Sequence, residues 1–196
     1  MDVNRRNEIV NAFIKLCSRK GLDNTTMQDV AKEVGISVGT IYLEFRNKDE
    51  LIDAFEKNLF QQSETQIAQI MNQSAPASAI LHDLLVGNIE YINRQIRQNQ
   101  AIQEFMMKDF VKHINKNIKV RRTELQNHVT DKIELILKKG VEEGSFVMDD
   151  IPCTARMLFL ALGAFAGPVA LEREYEEVIQ DAESMFALLL RAIRQG

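Results

Sequence analysis

The sequence predicts an all-α protein with nine helices in two domains. Three prolines, nine glycines and no tryptophan in 196 residues suit long helices, because proline and glycine disfavour helix interiors. Apolar residues recur at helical spacing along most of the chain, and no alternating run of Val, Ile and Thr indicates a strand. We expect residues 1–47 to form a helix-turn-helix domain and residues 48–196 a second helical domain. A helix from residue 48 to about residue 72 links the two.

The first helix is expected over about residues 4–20. Ile9, Phe13 and Leu16 lie on one face of it, and Gly21 can end it. The stretch that follows, TTMQDVAKEVGISVGTIYLEFRNKDEL, is the most informative in the chain. Its pattern predicts two short helices joined by a tight turn, and then the start of a longer helix.

Residue types at the ends of these short helices match known helix caps. Thr26 and Asp29 have the spacing of a capping box, and Gly35 suits the left-handed residue that ends the helix. Ser37 is a good N-cap for the next helix, which opens with the small residues Val38-Gly39-Thr40. Small residues let a helix approach the major groove of DNA, and hydroxyl groups reach bases or phosphates. The pattern therefore favours a DNA-binding recognition helix.

Six further helices are expected in the second domain, because each of six segments carries an apolar stripe at helical spacing. They cover about residues 48–72, 79–98, 101–114, 116–143, 151–171 and 176–194. Asn47 can cap the long linking helix, and Asp150 followed by Pro152 can begin the eighth helix. The loop 72–78 separates the linking helix from the next one.

The stretch around the two short helices resembles the DNA-binding half of TetR-family transcriptional regulators. The matching residues, all in register, are Gly21, Thr25-Thr26, Val30-Ala31, Gly35-Ile36-Ser37, Gly39-Thr40, Tyr42, Phe45, Lys48 and Glu50-Leu51. Glu44 departs from the pattern, since the family usually has an aromatic residue or His just before the Phe. The resemblance implies a sequence-specific DNA-binding transcriptional regulator, a repressor that a small-molecule effector releases from its operator.

The residues expected to contact DNA lie in the two short helices and at the start of the linking helix. They are Thr26, Gln28, Ser37, Val38, Gly39, Thr40, Tyr42 and Lys48. The resemblance assigns Thr40, Tyr42 and Lys48 mainly to phosphates. A dimer with two recognition helices reads two half-sites, so the expected partner is a pseudo-palindromic double-stranded DNA operator. Residues 1–50 carry no net charge, which predicts few phosphate contacts and a shallow salt dependence.

A pocket for a partly apolar effector is expected in the second domain. Its candidate residues combine adaptable apolar side chains with a few polar ones: Asn88, Tyr91, Gln95, Phe105, Met106, Phe110, His113 and Phe159. For any single apolar member of this set, a place in the ordinary core is the simpler interpretation. The basic run Lys108 to Arg122 is interpreted as a solvated helix face.

The last two helices are expected to form the interface of a homodimer. The candidate residues are Leu158, Leu162, Phe165, Phe186, Leu189, Leu190 and Ile193. Small residues between them permit close helix packing, and the run 157–171 is apolar on all sides, which favours burial. The alternative is that both helices form the internal core of a monomer. The same run is too short to cross a membrane, so no membrane partner is expected.

No pattern in the sequence indicates an enzyme, a cofactor or a metal site. The three histidines are scattered, and no phosphate-binding loop, dinucleotide fingerprint or catalytic triad is present. Cys17 and Cys153 lie far apart and are expected to be buried thiols of a cytoplasmic protein. The alternative function is a helical dimer that acts through protein–protein contacts and retains a vestigial helix-turn-helix, as Glu44 and the neutral N-terminal charge suggest.

Overall fold

In the computed structural model, which describes residues 3–99, 102–104, 116–166 and 168–194, nine α-helices follow one another. Their bounds are α1 Val3–Lys20, α2 Met27–Val34, α3 Val38–Glu44, α4 Lys48–Met71, α5 Ala77–His82, α6 Asn88–Gln98, α7 Lys116–Glu142, α8 Ile151–Gly163 and α9 Tyr175–Ile193. Residues 102–104 are helical too, and most of the predicted helix 101–114 lies outside the described residues. No β-strand occurs in the described ranges, and the predicted all-α class is confirmed.

The predicted helix 79–98 is divided by a change of helix type. A π-helical turn, Asp83–Gly87, separates α5 from α6 within one continuous helical segment. A 3-10 turn, Pro168–Glu172, precedes α9, so α8 ends earlier than the sequence predicted. Helical periodicity does not distinguish α from π geometry over one turn, which is why the sequence did not indicate the π turn.

The chain divides into two compact units, Met1–Ser63 with Ile96–Val111, and Glu64–Gln95 with Lys112–Gly196. This division differs from the predicted boundary after residue 47, because α4 begins in the first unit and ends in the second. The rings of Phe13 on α1 and Phe55 on α4 meet edge to face, with their centroids 6.4 Å apart. Such a pair contributes about 0.5–1.5 kcal/mol beyond simple burial. The first half of α4 is therefore part of the core of the first unit.

The core of the first unit is made by side chains from its first four helices. The fully or almost fully buried members are Ile9, Phe13, Cys17, Val30, Ile41, Phe45, Leu51 and Phe55. Burial raises the pKa of the Cys17 thiol, which fits the predicted buried cysteine. Cys153, in the second unit, is only partly buried.

The second unit has its own core, which α5, the π turn, α7, α8 and α9 share. Its members include Leu81, Leu84, Ile133, Leu137, Phe146, Ala155, Leu158, Leu162, Ala182 and Phe186. The Phe146 ring lies directly on the backbone of α7, since a Cβ on Gly140 would stand 2.0 Å from Phe146 Cδ2. The Val147 N–H donates to the Ile193 carbonyl at 2.8 Å. The segment after α7 is thereby joined to the end of α9.

The structure corrects four of the seven residues predicted for a dimer interface. Leu158, Leu162, Phe186 and Ile193 are at most 7% exposed and lie in the core of the second unit. The other three predicted residues are partly buried and pack against the same core, and their place in an interface stays a prediction: Phe165, Leu189 and Leu190. Because α8 is apolar on several sides, the sequence did not reveal which stripe faces inward.

The outward-facing apolar residues of α8 and α9 are different ones. Met157 and Leu160 on α8 are 45% and 53% exposed, and Leu188 on α9 is 57% exposed. These positions lie one or two residues away from the predicted ones, so they project about 100° or 200° away from them around each helix.

His82, at the end of α5, forms a polar contact with α9 inside the second unit. Its Nε2 lies 2.9 Å from Glu183 Oε1, and its Nδ1 lies 3.3 Å from Asp83 Oδ1. The ring also meets Phe186 edge to face, with the centroids 5.2 Å apart. Burial lowers the pKa of His82, but the hydrogen bonds with Glu183 and Asp83 together outweigh burial, so the net pKa is raised.

We expect His82→Gln to lower the melting temperature more at about pH 5.5 than at about pH 8.5. A histidine whose pKa is higher in the folded than in the unfolded state makes its full contribution to the free energy of unfolding at pH values below the unfolded pKa. That stabilisation is lost as the pH rises through the folded pKa. The effect is modest, because the side chains of His82 and Glu183 remain 37% and 48% exposed.

Thermal melts of both proteins at the two pH values measure this difference. In a Glu183→Gln background the pH dependence of the His82 substitution should shrink, because the main partner is gone. Equal losses at both pH values in the parent background would show that protonated His82 is not stabilised by Glu183.

Candidate nucleic-acid interface and buried polar site

The first helix of the motif, α2, has its predicted caps at both ends. The Asp29 N–H donates to Thr26 Oγ1 at 3.2 Å, and the Thr26 N–H donates to Asp29 Oδ2 at 2.8 Å, which completes the capping box. Gly35 adopts the left-handed conformation with φ 77°, and its N–H donates to the Ala31 carbonyl. Hydrogen bonds from Lys20 and from Thr26 hold the pKa of Asp29 well below its usual range.

The recognition helix α3 is short and is anchored by its apolar side. Ser37 is its N-cap, with Oγ accepting from the Thr40 N–H at 3.0 Å and lying 2.8 Å from Thr40 Oγ1. Ile41 within α3 and Phe45 directly after it are both 0% exposed. Since isolated helices of this length are not stable in water, this burial is what holds α3 in place.

Arg6 on α1 fixes the end of α3. Its Nη1 donates to the Glu44 carbonyl at 2.6 Å, and its guanidinium lies 4.1 Å from the centroid of the Phe45 ring. A helix C-terminus has unpaired carbonyls, and a cation there also complements the helix dipole. The structural role of Arg6 depends on a contact 38 residues away along the chain.

Lys48 has a structural role that the sequence did not indicate. Its Nζ donates to the Leu22 carbonyl at 2.6 Å and to the Asp23 carbonyl at 3.1 Å, in the loop after α1. The Leu22 N–H of the same loop donates to Glu104 Oε2 at 2.6 Å. A lysine ammonium has three donors, so two are already committed within the chain. The structure thus adds a role within the chain, and the expected phosphate contact of Lys48 stays a prediction.

The structure places the other predicted DNA-contact residues on the surface of the motif. Thr26, Gln28, Ser37, Gly39 and Tyr42 are exposed, and Val38 and Thr40 are partly buried. Glu44, the departure from the family pattern, is partly buried, and its Oε2 is buried without a hydrogen-bond partner. One oxygen of that carboxylate is therefore withdrawn from the surface.

A second polar feature lies inside the second unit, on α6. Asn93 is 1% exposed, and its Nδ2 donates to the Ile89 carbonyl at 3.0 Å and to the Phe165 carbonyl at 2.8 Å. These two bonds fix the orientation of the amide and direct Oδ1 away from both carbonyls. Asn93 Oδ1 is buried without a partner, and so is Oδ1 of Asn88. Sequence reasoning missed Asn93, although it lies between the buried Ile89 and Ile96.

The predicted effector residues are only partly described. Asn88, Tyr91 and Gln95 lie partly buried on α6, and Phe159 on α8 packs against the core of the second unit. Phe105, Met106, Phe110 and His113 lie outside the described residues, as do the side chains of the basic run.

None of the helices in the described ranges combines the length and the apolar character needed to cross a bilayer. No group of three or more His, Cys, Asp or Glu side chains in that part of the chain is arranged to hold a metal ion.

Comparison with known proteins agrees with the geometry of the motif. Residues 9–55 match the family model described as bacterial regulatory proteins, tetR family. The HTH-type transcriptional repressor KstR2 of Rhodococcus jostii is 28% identical over 158 residues, which cover 79% of this chain and 74% of that protein. The nicotine-responsive transcriptional repressor HdnoR of Paenarthrobacter nicotinovorans is 30% identical over 83 residues, only 42% of this chain and 43% of that one.

The fold is shared along almost the whole chain with solved structures of transcriptional regulators. A regulator from Cytophaga hutchinsonii superposes with a TM-score of 0.78 at 21% identity, covering 98% of this chain and 100% of that chain. The sequence relatives are regulators rather than enzymes. The helix-turn-helix geometry and the match over residues 9–55 show that this stretch is similar to the TetR family of DNA-binding transcriptional regulators, and the fold of the chain is similar to that of the solved regulator.

Proposed function

We propose that the protein is a homodimeric repressor that binds a pseudo-palindromic operator through α3 and is released by a small-molecule effector bound in its second unit. The observation that carries the DNA-binding part is the two-sided character of α3. Its inward side is held by Ile41, which is 0% exposed, whereas Tyr42 beside it is 50% exposed. A rigidly held helix with an exposed hydroxyl side is suited to the major groove.

Thr40 and Tyr42 are the proposed phosphate contacts. They lie one residue before and one after Ile41, so they project about 100° to either side of the inward direction. Hydroxyl groups donate to phosphate oxygens, and such contacts fix the register of a protein on DNA without reading sequence. The main proposed contribution of Lys48 is to hold the loop after α1, on which the orientation of α2 depends.

Operators can be selected from fragments of the source genome and then used to measure the affinity of variants by fluorescence anisotropy. We expect Tyr42→Phe to weaken binding by about 3- to 10-fold, since one hydrogen bond contributes about 0.5–1.5 kcal/mol. The loss should be the same for every operator, because phosphate contacts carry no sequence information.

The matched control is Tyr175→Phe, which removes the same atom from the start of α9 and should leave DNA affinity unchanged. Unaltered affinity of Tyr42→Phe would rule out a phosphate contact from its hydroxyl. A complete lack of saturable, competitor-resistant binding at low salt would reject the operator-binding function itself.

The homodimer is supported by the exposed apolar residues of the last two helices. Met157, Leu160 and Leu188 project from α8 and α9, and two small residues, Ala164 directly after α8 and Ala187 on α9, are exposed as well. Small residues allow two helices to approach closely, and covering the larger ones removes apolar surface from water at about 25 cal/mol per Å². A second copy of the same surface is the proposed occupant.

We expect Leu160→Glu and Leu188→Glu each to shift the protein from dimer to monomer in sedimentation velocity experiments, because a charge would be buried at the interface. The affinity of these variants for the operator should also fall, because a monomer contacts only one of the two half-sites. Leu135→Glu on α7 is the control, because Leu135 is 51% exposed and lies outside the proposed interface. Retention of the parental sedimentation coefficient by both interface variants would place the contact elsewhere.

The effector part of the proposal rests on the buried polar site of α6. Buried acceptors without donors cost about 1–3 kcal/mol each, so a ligand that donates to Asn93 Oδ1 recovers this energy. π-helical turns occur often at functional sites, and Asp83–Gly87 immediately precedes α6. One relative carries the name of a nicotine-responsive repressor, and the same class of regulation is proposed here. Because α4 begins in the first unit and ends in the second, a ligand-dependent shift of α4 is the proposed coupling.

A panel of small phenols, alcohols and protonated amines, together with their methylated counterparts that lack the donor, tests this site. We expect donors that raise the melting temperature to release operator DNA, and Asn93→Leu to abolish both effects. The control Asn127→Leu on α7 changes an exposed amide and should respond as the parent does. A response of Asn93→Leu equal to that of the parent would exclude Asn93 from effector binding.

A further inference from the structure

We propose that Leu43 reads thymine in the operator by packing against its C5 methyl group. Leu43 follows Tyr42 in α3 and is 81% exposed, the largest exposure of any large apolar side chain in the described part of the chain. This inference rests on the DNA-binding function proposed above, and it assigns a specificity role to a residue that the sequence patterns did not single out.

The direction of Leu43 follows from the burial of Ile41. Residues two positions before and two positions after a helical residue project about 200° from it, on the opposite side of the helix. Ile41 is 0% exposed and faces the core, so Gly39 and Leu43 form the outermost line of α3. They are also four residues apart, which places them one above the other on that line. Both are exposed in the structure.

The outermost line of a recognition helix faces the base edges, and its flanks face the sugar-phosphate walls. The major groove is about 12 Å wide and a helix with side chains is about 10–12 Å across, so the helix fills the groove. Thr40 and Tyr42 flank the line and are directed to the walls, whereas Leu43 is directed to the floor. Gly39 has no side chain, so the backbone before Leu43 is free to lie close to the bases.

The chemistry of leucine then selects the base. The leucine side chain has neither a donor nor an acceptor, so it cannot form hydrogen bonds with the N7, O6, O4 or amino groups of the base edges. The one apolar group in the major groove is the thymine C5 methyl. A cytosine at the same position would place its amino group against an apolar side chain, where the amino group loses its hydrogen bonds to water.

The side chain is exposed but its backbone is held firmly. Ile41 and Phe45 anchor both sides of Leu43 in the core, and Arg6 donates to the carbonyl of Glu44, the next residue. An exposed leucine is by itself unremarkable in a protein surface. Leu43 is suited to base recognition because it lies on the outermost line of an anchored recognition helix.

Replacement of single operator thymines by deoxyuridine tests the proposal, because deoxyuridine differs from thymidine only by the missing methyl group. We expect the parent protein to lose about fourfold in affinity at one thymine position of each half-site, the typical effect of one buried methyl group. Leu43→Ala should bind the unmodified operator more weakly and should be insensitive to deoxyuridine at that position. Leu43→Met, which keeps an apolar side chain of similar size, should retain most of the sensitivity.

Leu135→Ala serves as the control, since it truncates another leucine that is 51% exposed and lies on α7. It should show the deoxyuridine profile of the parent. If Leu43→Ala keeps the parental sensitivity at every thymine, or if no thymine shows sensitivity, the methyl contact is overturned although operator binding stands. If the parent binds no operator specifically, the proposed function fails first and the inference fails with it.

Discussion

The loop that follows α1 is the point on which the DNA-binding unit depends. Its Leu22 is bound at both backbone groups, with the carbonyl accepting from Lys48 and the N–H donating to Glu104. The buried Thr25 adds a third bond, from its hydroxyl to the Gly21 carbonyl at 2.8 Å. Charged partners make stronger hydrogen bonds than neutral ones, and the sites are partly buried. The start of α2, and through α2 the position of α3, is set by this loop.

The position of the recognition helix α3 likewise depends on a small number of contacts. α3 has too few residues to be stable by itself, so its position relies on Ile41, Phe45 and the Arg6 contact. These anchors use only the inward side and the end of the helix. The outward residues are therefore free to differ in chemistry without disturbing the fold, which is how one scaffold can serve many operators.

Local features of the fold were predictable from the sequence, and features that depend on distant neighbours were not. The capping box of Thr26 and Asp29 and the left-handed Gly35 follow from spacing within a few residues, and both are confirmed. The partners of Lys48 and Arg6 lie 26 and 38 residues away, and no local pattern indicates them. The inward stripe of α8 was assigned to a dimer interface because an all-round apolar helix offers two stripes of equal character. Asn93 was missed because amides in helices are usually solvated, whereas this one bridges to the Phe165 carbonyl 72 residues later.

The return of residues 96–111 to the first unit has a consequence for the order of synthesis. The Glu104 contact spans 82 residues, and Ser18 on α1 is bonded to Asn99 over 81 residues at 2.9 Å. A growing chain that has just completed the helix-turn-helix and α4 still lacks both partners. Closing such long loops costs chain entropy before the contacts form. The first unit therefore reaches its final form only after residues 64–95 of the second unit have been translated, so the nascent N-terminal segment is not a finished DNA-binding module.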